Sequence, residues 1–389
     1  MKINLHRVPL MIAAGASLAA AVWGGLLRLD WDLPLPPANW ISFHGPLMVS
    51  GFLGTLIGLE RAAGLGRPWA YAGPVLTALG AALLMGGVMG QFPLLLIALG
   101  SAGLVAVFAW VFSRQSTLFH ATMGAGAVAW LTGNLLWLFG WAIPDVVVWW
   151  MAFFVLTIAG ERLEMTRLLR PSPARRAVFL SCMTTILGGA SWTIWSSVWG
   201  YRLAGAGLLG MALWLLGCDV ARRTVRQEGL TRFVAVCLLA GYVWLATGGV
   251  LAAVLAPMRY GPGYDAILHA VFLGFVISMV FGHAPIILPA VLGVDLPYRP
   301  AFYTHLALLH GSLLLRVTAD LAGWNTLRAW GGDAQCRRGG AVSVAEHRLR
   351  NPGEAVGCFL GCVRRCRRAQ IFELIAGYRP GVGDCRCAF

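Results

Sequence analysis

Apolar stretches of about twenty residues, each enough to cross a bilayer core as a helix, recur along most of the chain and are separated by short polar turns. The pattern predicts eleven spans, at 8–27, 41–59, 69–89, 92–112, 118–140, 144–163, 177–198, 201–219, 232–255, 265–284 and 300–322. The expected fold class is all-α, a polytopic transmembrane helix bundle. The first span has a basic start but full spanning length and no convincing cleavage site, so it reads as an anchor rather than a leader.

Composition agrees. Hydrophobic residues make up 58% of the chain and charged residues 12%, half the quarter typical of soluble domains. A formal net charge of +14 would suggest nucleic acid in a soluble protein; here it reads as orientation, and no nucleic-acid partner is expected. Fifteen basic residues, among them Lys2, Arg7, Arg61, Arg114, Arg175 and Arg222, fall on one side of the predicted bundle. Four, Arg28, Arg202, Arg259 and Arg328, fall on the other. That asymmetry puts the N-terminus in the cytoplasm of a bacterial-type inner membrane. Tryptophans at span ends, such as Trp23, Trp40, Trp69, Trp141 and Trp199, fit interfacial belts.

The spans belong to a domain over 1–330, and the character changes at 331–389. Those 59 residues hold ten Arg and six of the nine Cys, in fragments such as "CVRRCRR" and "DCRCAF". The spacing of Cys358, Cys362 and Cys366 would suit a metal or disulfide module. Arg- and Cys-rich text in place of an expected helix is also what out-of-frame translation of a GC-rich gene produces, and that reading of an aberrant or disordered tail is preferred. A twelfth span is then expected in the ancestral protein. With it, three groups of four helices is the simplest description, because "GLERA" ends span two and "GERLE" ends span six.

Six of the eight histidines lie in or beside spans, where ionisable groups face a bundle interior by default. His44 and His269 each sit about one turn inside the same end of spans that run in the same direction. His283 is fourteen residues beyond His269, roughly 21 Å deeper on a uniform helix and within about 40° of it in azimuth. Two imidazoles at one level on separate helices can hold a haem iron from opposite sides. Gly45, Gly51, Gly54 and Gly274 would keep the facing surfaces low for a flat macrocycle. His283, His305 and His310 could form a second metal site, with copper a candidate. Against these stand plainer readings: His120 and His283 as interfacial residues, His305 bonded to a backbone carbonyl.

Glu60/Arg61 and Glu161/Arg162/Glu164 read as ion pairs that fix helix ends, or as relay groups. Arg316 and Asp320, spaced i, i+4, read as a pair, and Arg316 could hold a haem propionate. Asn134 is a polar group in a span and must find a partner. Cys182, Cys218 and Cys237 read as apolar fillers.

The segments "HGPLMVSGFLGTLIGLERA" and "LHAVFLGFVISMVFGHAP" resemble the NnrS family, and the layout over 8–330 is similar to the large subunit of haem–copper oxidases. The resemblance implies a twelve-span membrane protein with haem and copper, linked to nitric oxide metabolism and nitrosative stress. It implies His44 and His269 as haem ligands and His283 as a further family position. Spans six and seven carry no His, where an oxidase would bind copper, and span two lacks the His-x-His of many NnrS relatives. Respiratory oxygen reduction is therefore not expected. Turnover, sensing and haem handling would all use the same residues, with nitric oxide or a redox partner as the counterpart. The rival classes are a secondary transporter and a membrane subunit without cofactor. A chain with an in-frame twelfth span restored is expected to accumulate to higher levels in membrane fractions; equal yield on quantitative blotting would count against the aberrant-tail reading.

Overall fold

The computed structural model describes residues 4–29, 33–36, 40–169, 171–256, 259–293 and 297–323. The 331–389 segment lies outside the described residues. Among these residues the fold is entirely helical. The long helices are α1 (Val8–Arg28), α2 (Trp40–Leu65), α3 (Ala72–Met85), α4 (Gln91–Arg114), α5 (Leu118–Leu138) and α6 (Ile143–Thr166). They continue as α7 (Pro173–Trp192), α8 (Ser197–Cys218), α9 (Gly229–Leu255), α10 (Pro262–Leu292) and α11 (Phe302–Ala322). Eight of them are long and apolar enough to cross a membrane, α3 together with the turn that precedes it. The other three, α5, α7 and α11, are of spanning length but less apolar. The chain is a multi-pass membrane protein of the all-α class.

Local chemistry sets the helix ends. Thr117, Ser172 and Ser196 are N-caps whose side chains accept from the backbone N–H three residues on. Gly66, Gly293 and Gly323 close α2, α10 and α11 in the left-handed conformation, at φ of 65°, 73° and 67°.

Consecutive helices pack in antiparallel fashion through short connections, so even-numbered helices share one direction. We call the side on which α1 begins the near face and the side on which it ends the far face. Polar contacts fix the register at both. On the far face Tyr201 at the start of α8 donates to the Pro144 carbonyl at the start of α6, 2.7 Å away, and Arg259 pairs with Asp145. On the near face Arg61 of α2 pairs with Glu161 of α6.

Helix α6 is the centre of the bundle. Every residue from 146 to 160 is buried, and α6 packs against α5, α7, α8 and α10. The unbroken "VVVWWMAFFVLTIAG" run could face lipid or protein; here neighbouring helices enclose it on every side. Small residues let neighbours approach: a methyl group added at Gly126 would stand 2.9 Å from the Phe153 carbonyl oxygen, and one at Gly160 2.5 Å from Met123. The Trp130 ring stacks on Phe153 at 4.9 Å between centroids. Asn134 accepts through Oδ1 from the Trp150 indole at 3.1 Å, while its buried Nδ2 has no partner among the described residues.

At its near-face end α6 carries Arg162, which forks onto Asp219 after α8 at 2.8 and 3.0 Å. Asp219 also accepts from Tyr242 of α9 and from the Ala221 backbone N–H. Arg162 and Asp219 are both buried. The two Gly–Glu–Arg clusters thus act as structural pairs: one arginine bridges α2 to α6, the other α6 to α8 and α9.

Two expectations need correction. Span ten, expected over 265–284, runs on through Pro285 and Pro289 to Leu292. Its final carbonyls are taken up by the start of the chain: Asn4 N–H donates to Leu292 at 3.0 Å and the Arg7 guanidinium to Val291 at 3.0 Å. Membrane helices tolerate proline where neighbours satisfy the backbone. The 40° azimuth between His269 and His283 assumed a uniform α-helix, and α10 is not uniform, as shown below.

Removing one partner of a buried, hydrogen-bonded ion pair leaves the other charge unmet. Asp219→Ala is therefore expected to cost about 3–5 kcal/mol. The double variant Arg162→Met/Asp219→Leu should lose less, and thermal melting of the purified protein in detergent ranks the two.

Candidate functional site

The site is framed by an irregularity shared by two helices. Both α2 and α10 switch from α to π hydrogen bonding for eight residues, at Leu47–Gly54 and Ala270–Ile277. Runs with i→i+5 bonding are rare and concentrate at functional positions. In α2 the switch follows Pro46, which has no N–H to return to the preceding turn. No proline precedes the switch in α10. His44 stands three residues before the first π run and His269 immediately before the second.

Each π run is held by a tryptophan seated on a glycine. A methyl group at Gly54 would lie 2.4 Å from the Trp130 ring, and one at Gly274 2.4 Å from the Trp244 ring. Trp130 also donates to Ser50 at 3.2 Å, and Trp244 to His310 Nδ1 at 2.9 Å. Gly51 faces Ser17 and Ala81 on α1 and α3. Three of the four glycines expected to flank a macrocycle therefore serve helix packing. Only Gly45 faces open space.

The two histidines are set up alike. His44 Nδ1 lies 2.6 Å from the Ala21 carbonyl of α1, and its ring rests on Gly25. His269 Nδ1 lies 2.7 Å from the Asp265 carbonyl one turn back. A carbonyl only accepts, so each Nδ1 carries the proton and each Nε2 keeps its lone pair. This is the arrangement that orients metal-ligating imidazoles. Both rings are half-buried. His44 lies within electrostatic reach of Arg28, Asp265 and Arg316, and His269 within reach of Arg316, Asp265 and His44. The structure thus brings His44, His269 and Arg316 together at the far-face level. Arg316 stands 3.7 Å from Asp265 and 4.0 Å from Asp320, so the expected i, i+4 pair is present and Asp265 joins it.

Close packing between α2 and α10 falls on their near-face halves, Thr55–Leu65 against Ser278–Leu292. Their far-face halves, which carry the two histidines, themselves contribute partly buried side chains to the core, among them Phe43, Met48, Phe52, Phe272 and Ile277.

The second site expected from His283, His305 and His310 does not assemble. Among the described residues no group of three or more His, Cys, Asp or Glu side chains gathers around a common point. His310 accepts from the Trp244 indole through Nδ1, so its proton sits on Nε2, which faces Ser278 Oγ at 3.4 Å. Neither nitrogen is left for a metal. His305 is exposed on α11. His283 repeats the His269 pattern, with Nδ1 2.7 Å from the Met279 carbonyl, but lies near Glu60, Arg61 and Arg162 at the other level. His120 closes the start of α5, bonding Thr117 Oγ1 and the Gln115 carbonyl, both at 3.0 Å.

Asp219 and Tyr242 went unread in the sequence because nothing in "LLGCDVARR" or "LAGYVWL" marks a buried acceptor and its donor. The π runs left one trace, the proline of "HGPL".

These helices and their polar ties define a membrane-embedded bundle with a histidine pair between two π-containing helices. The chain belongs to the family described as a domain of unknown function, DUF8744, which it matches over residues 7–338. No curated protein and no solved structure matches it.

If Trp130 and Trp244 hold the π runs, Gly54→Val and Gly274→Val should each cost about 1–3 kcal/mol by overpacking. Gly45→Ala, facing open space, should shift stability by less than about 0.5 kcal/mol. Melting temperatures of the three variants check this ranking.

Proposed function

We propose that this protein binds haem between α2 and α10, that His44 and His269 would hold it, and that it serves nitric oxide metabolism or respiratory redox stress. The observation that carries the reading is the matched pair. Two imidazoles on parallel helices both have Nδ1 tied to a carbonyl and Nε2 free, each beside a π run. The donor set suits the group. Two neutral imidazole nitrogens would suit haem iron as ligands. Arg316, within electrostatic reach of both histidines, offers a guanidinium for a propionate. Haem would supply the redox and diatomic-gas chemistry, while the chain orients the two rings and keeps the site within the bundle. The resemblance of the two histidine-bearing segments to the NnrS family supports the same assignment and the link to nitric oxide. Copper is the weaker part of that resemblance, because span two carries one histidine and the inner histidines do not converge. The arginine asymmetry supports an inner-membrane protein with the near face in the cytoplasm.

The reading is tested by a pyridine haemochrome assay and optical spectrum on the purified full chain. The unaltered protein and His310→Phe are expected to carry haem, and His44→Ala and His269→Ala to lose it or change its ligation. A protein that stays colourless when expressed with ample haem would sink the proposal. Substrate flux in vesicles would then separate a transporter from a membrane subunit without cofactor.

A further inference from the structure

A cavity of about 440 Å³ opens at the near-face ends of α9 and α11, away from the histidine pair. It is lined by Glu228, Gly229, Arg232, Val236, Tyr298 and Tyr303. Its size falls within the roughly 300–1,000 Å³ of small-molecule sites. Behind the two tyrosines sits buried Phe233, edge-on to Tyr303 at 5.2 Å and near Tyr298 at 6.2 Å. Phe302 completes the cluster at 5.7 Å from Phe233 and 5.9 Å from Tyr298.

The polar groups come in two signs. Glu228 and Arg232 stand one helical turn apart at the start of α9, and among the described residues no ion pair joins them. The first backbone N–H groups of α9 receive no side-chain cap. Arg232, those N–H groups and the tyrosine hydroxyls suit a phosphate. The Glu228 carboxylate suits an ammonium that can donate to it. A ligand that satisfies both must carry both charges a few atoms apart. The cavity lies at the level of the helix ends, where lipid headgroups lie, and basic pockets between membrane helices on this side are known headgroup sites.

We propose that this cavity binds the headgroup of a phospholipid carrying a phosphodiester and a primary ammonium, the phosphatidylethanolamine class. An anionic headgroup without the ammonium would meet Glu228 as a like charge. A choline headgroup has no N–H to donate to that carboxylate. The proposal does not depend on the haem reading, since none of the lining residues is one assigned to haem.

The test is native mass spectrometry of the full chain in detergent, titrated with phosphatidylethanolamine, phosphatidylglycerol, phosphatidylcholine and free phosphoethanolamine. The unaltered protein is expected to retain phosphatidylethanolamine about tenfold better than phosphatidylglycerol, the scale of one charge-assisted contact. Glu228→Gln should abolish that preference while phospholipid still binds. Arg232→Gln should weaken all phospholipids alike. Both residues are exposed, so neither change threatens the fold; Tyr303→Phe, which keeps the ring, should weaken binding less than Arg232→Gln. Equal retention of phosphatidylethanolamine and phosphatidylglycerol by the unaltered protein would overturn the proposal. So would retention unchanged in both charge variants, or free phosphoethanolamine binding as tightly as the lipid.

Discussion

In a bilayer a buried charge must be met by the protein itself, because lipid offers nothing in return. Arg162 and Asp219 meet that demand for this fold. Asp219 takes the guanidinium on both oxygens and also accepts from Tyr242 and a backbone N–H. Four segments thereby converge at one buried acceptor: the end of α6, the turn after α8, the short helix Ala221–Thr224 and the middle of α9. Helix association in lipid lacks the hydrophobic drive that works in water, so polar anchors and close small-residue packing decide which neighbours α6 keeps. With α6 pinned to α8 and α9 on one side and, through Glu161 and Arg61, to α2 on the other, the flanks of the histidine site are set. Phe154 of α6 against Phe272 of α10, 5.9 Å between ring centroids, brings in the third wall.

Most of this architecture was legible as hydrophobic pattern. Eleven apolar stretches became eleven long helices, because about twenty apolar residues have few other ways to satisfy their backbone in lipid. The ends were less legible. Span ten read as stopping at Pro285, since a proline inside a soluble helix usually ends it, and the partners that rescue the last carbonyls lie at Asn4 and Arg7. No local signal carries a contact across that much sequence. The threefold description fared similarly: α2, α6 and α10 do run together, but α6 has neither histidine nor π run, so the three are alike in direction and unlike in chemistry.

The π runs changed what the histidines mean. Fourteen residues of α-helix place His269 and His283 on one stripe, and that geometry suggested a two-level imidazole face. An i→i+5 turn holds more residues than an α turn, so eight such residues shift the phase of everything beyond them. His283 accordingly cannot be placed by counting from His269. Its surroundings place it instead, among Glu60, Arg61 and Arg162. His44 and His269 both precede their π runs, so no phase error accumulates ahead of either.

Hydrogen bonding then sorts histidines that sequence position could not. His310 lies in a span, beside α10, and read as one member of a second metal site with His283 and His305. It is spent on Trp244, whose ring fills the notch at Gly274 and so steadies the π run of α10. One imidazole thus holds the scaffold while His44, His269 and His283 present lone pairs, and the difference lies in whether Nδ1 meets a donor or an acceptor. An indole N–H at Nδ1 forces the proton to Nε2; a carbonyl at Nδ1 forces it the other way. The chemistry available to each histidine is therefore set by the neighbour behind its ring, which in the case of His44 is a carbonyl of α1, a helix that the motif reading of spans two and ten never consulted.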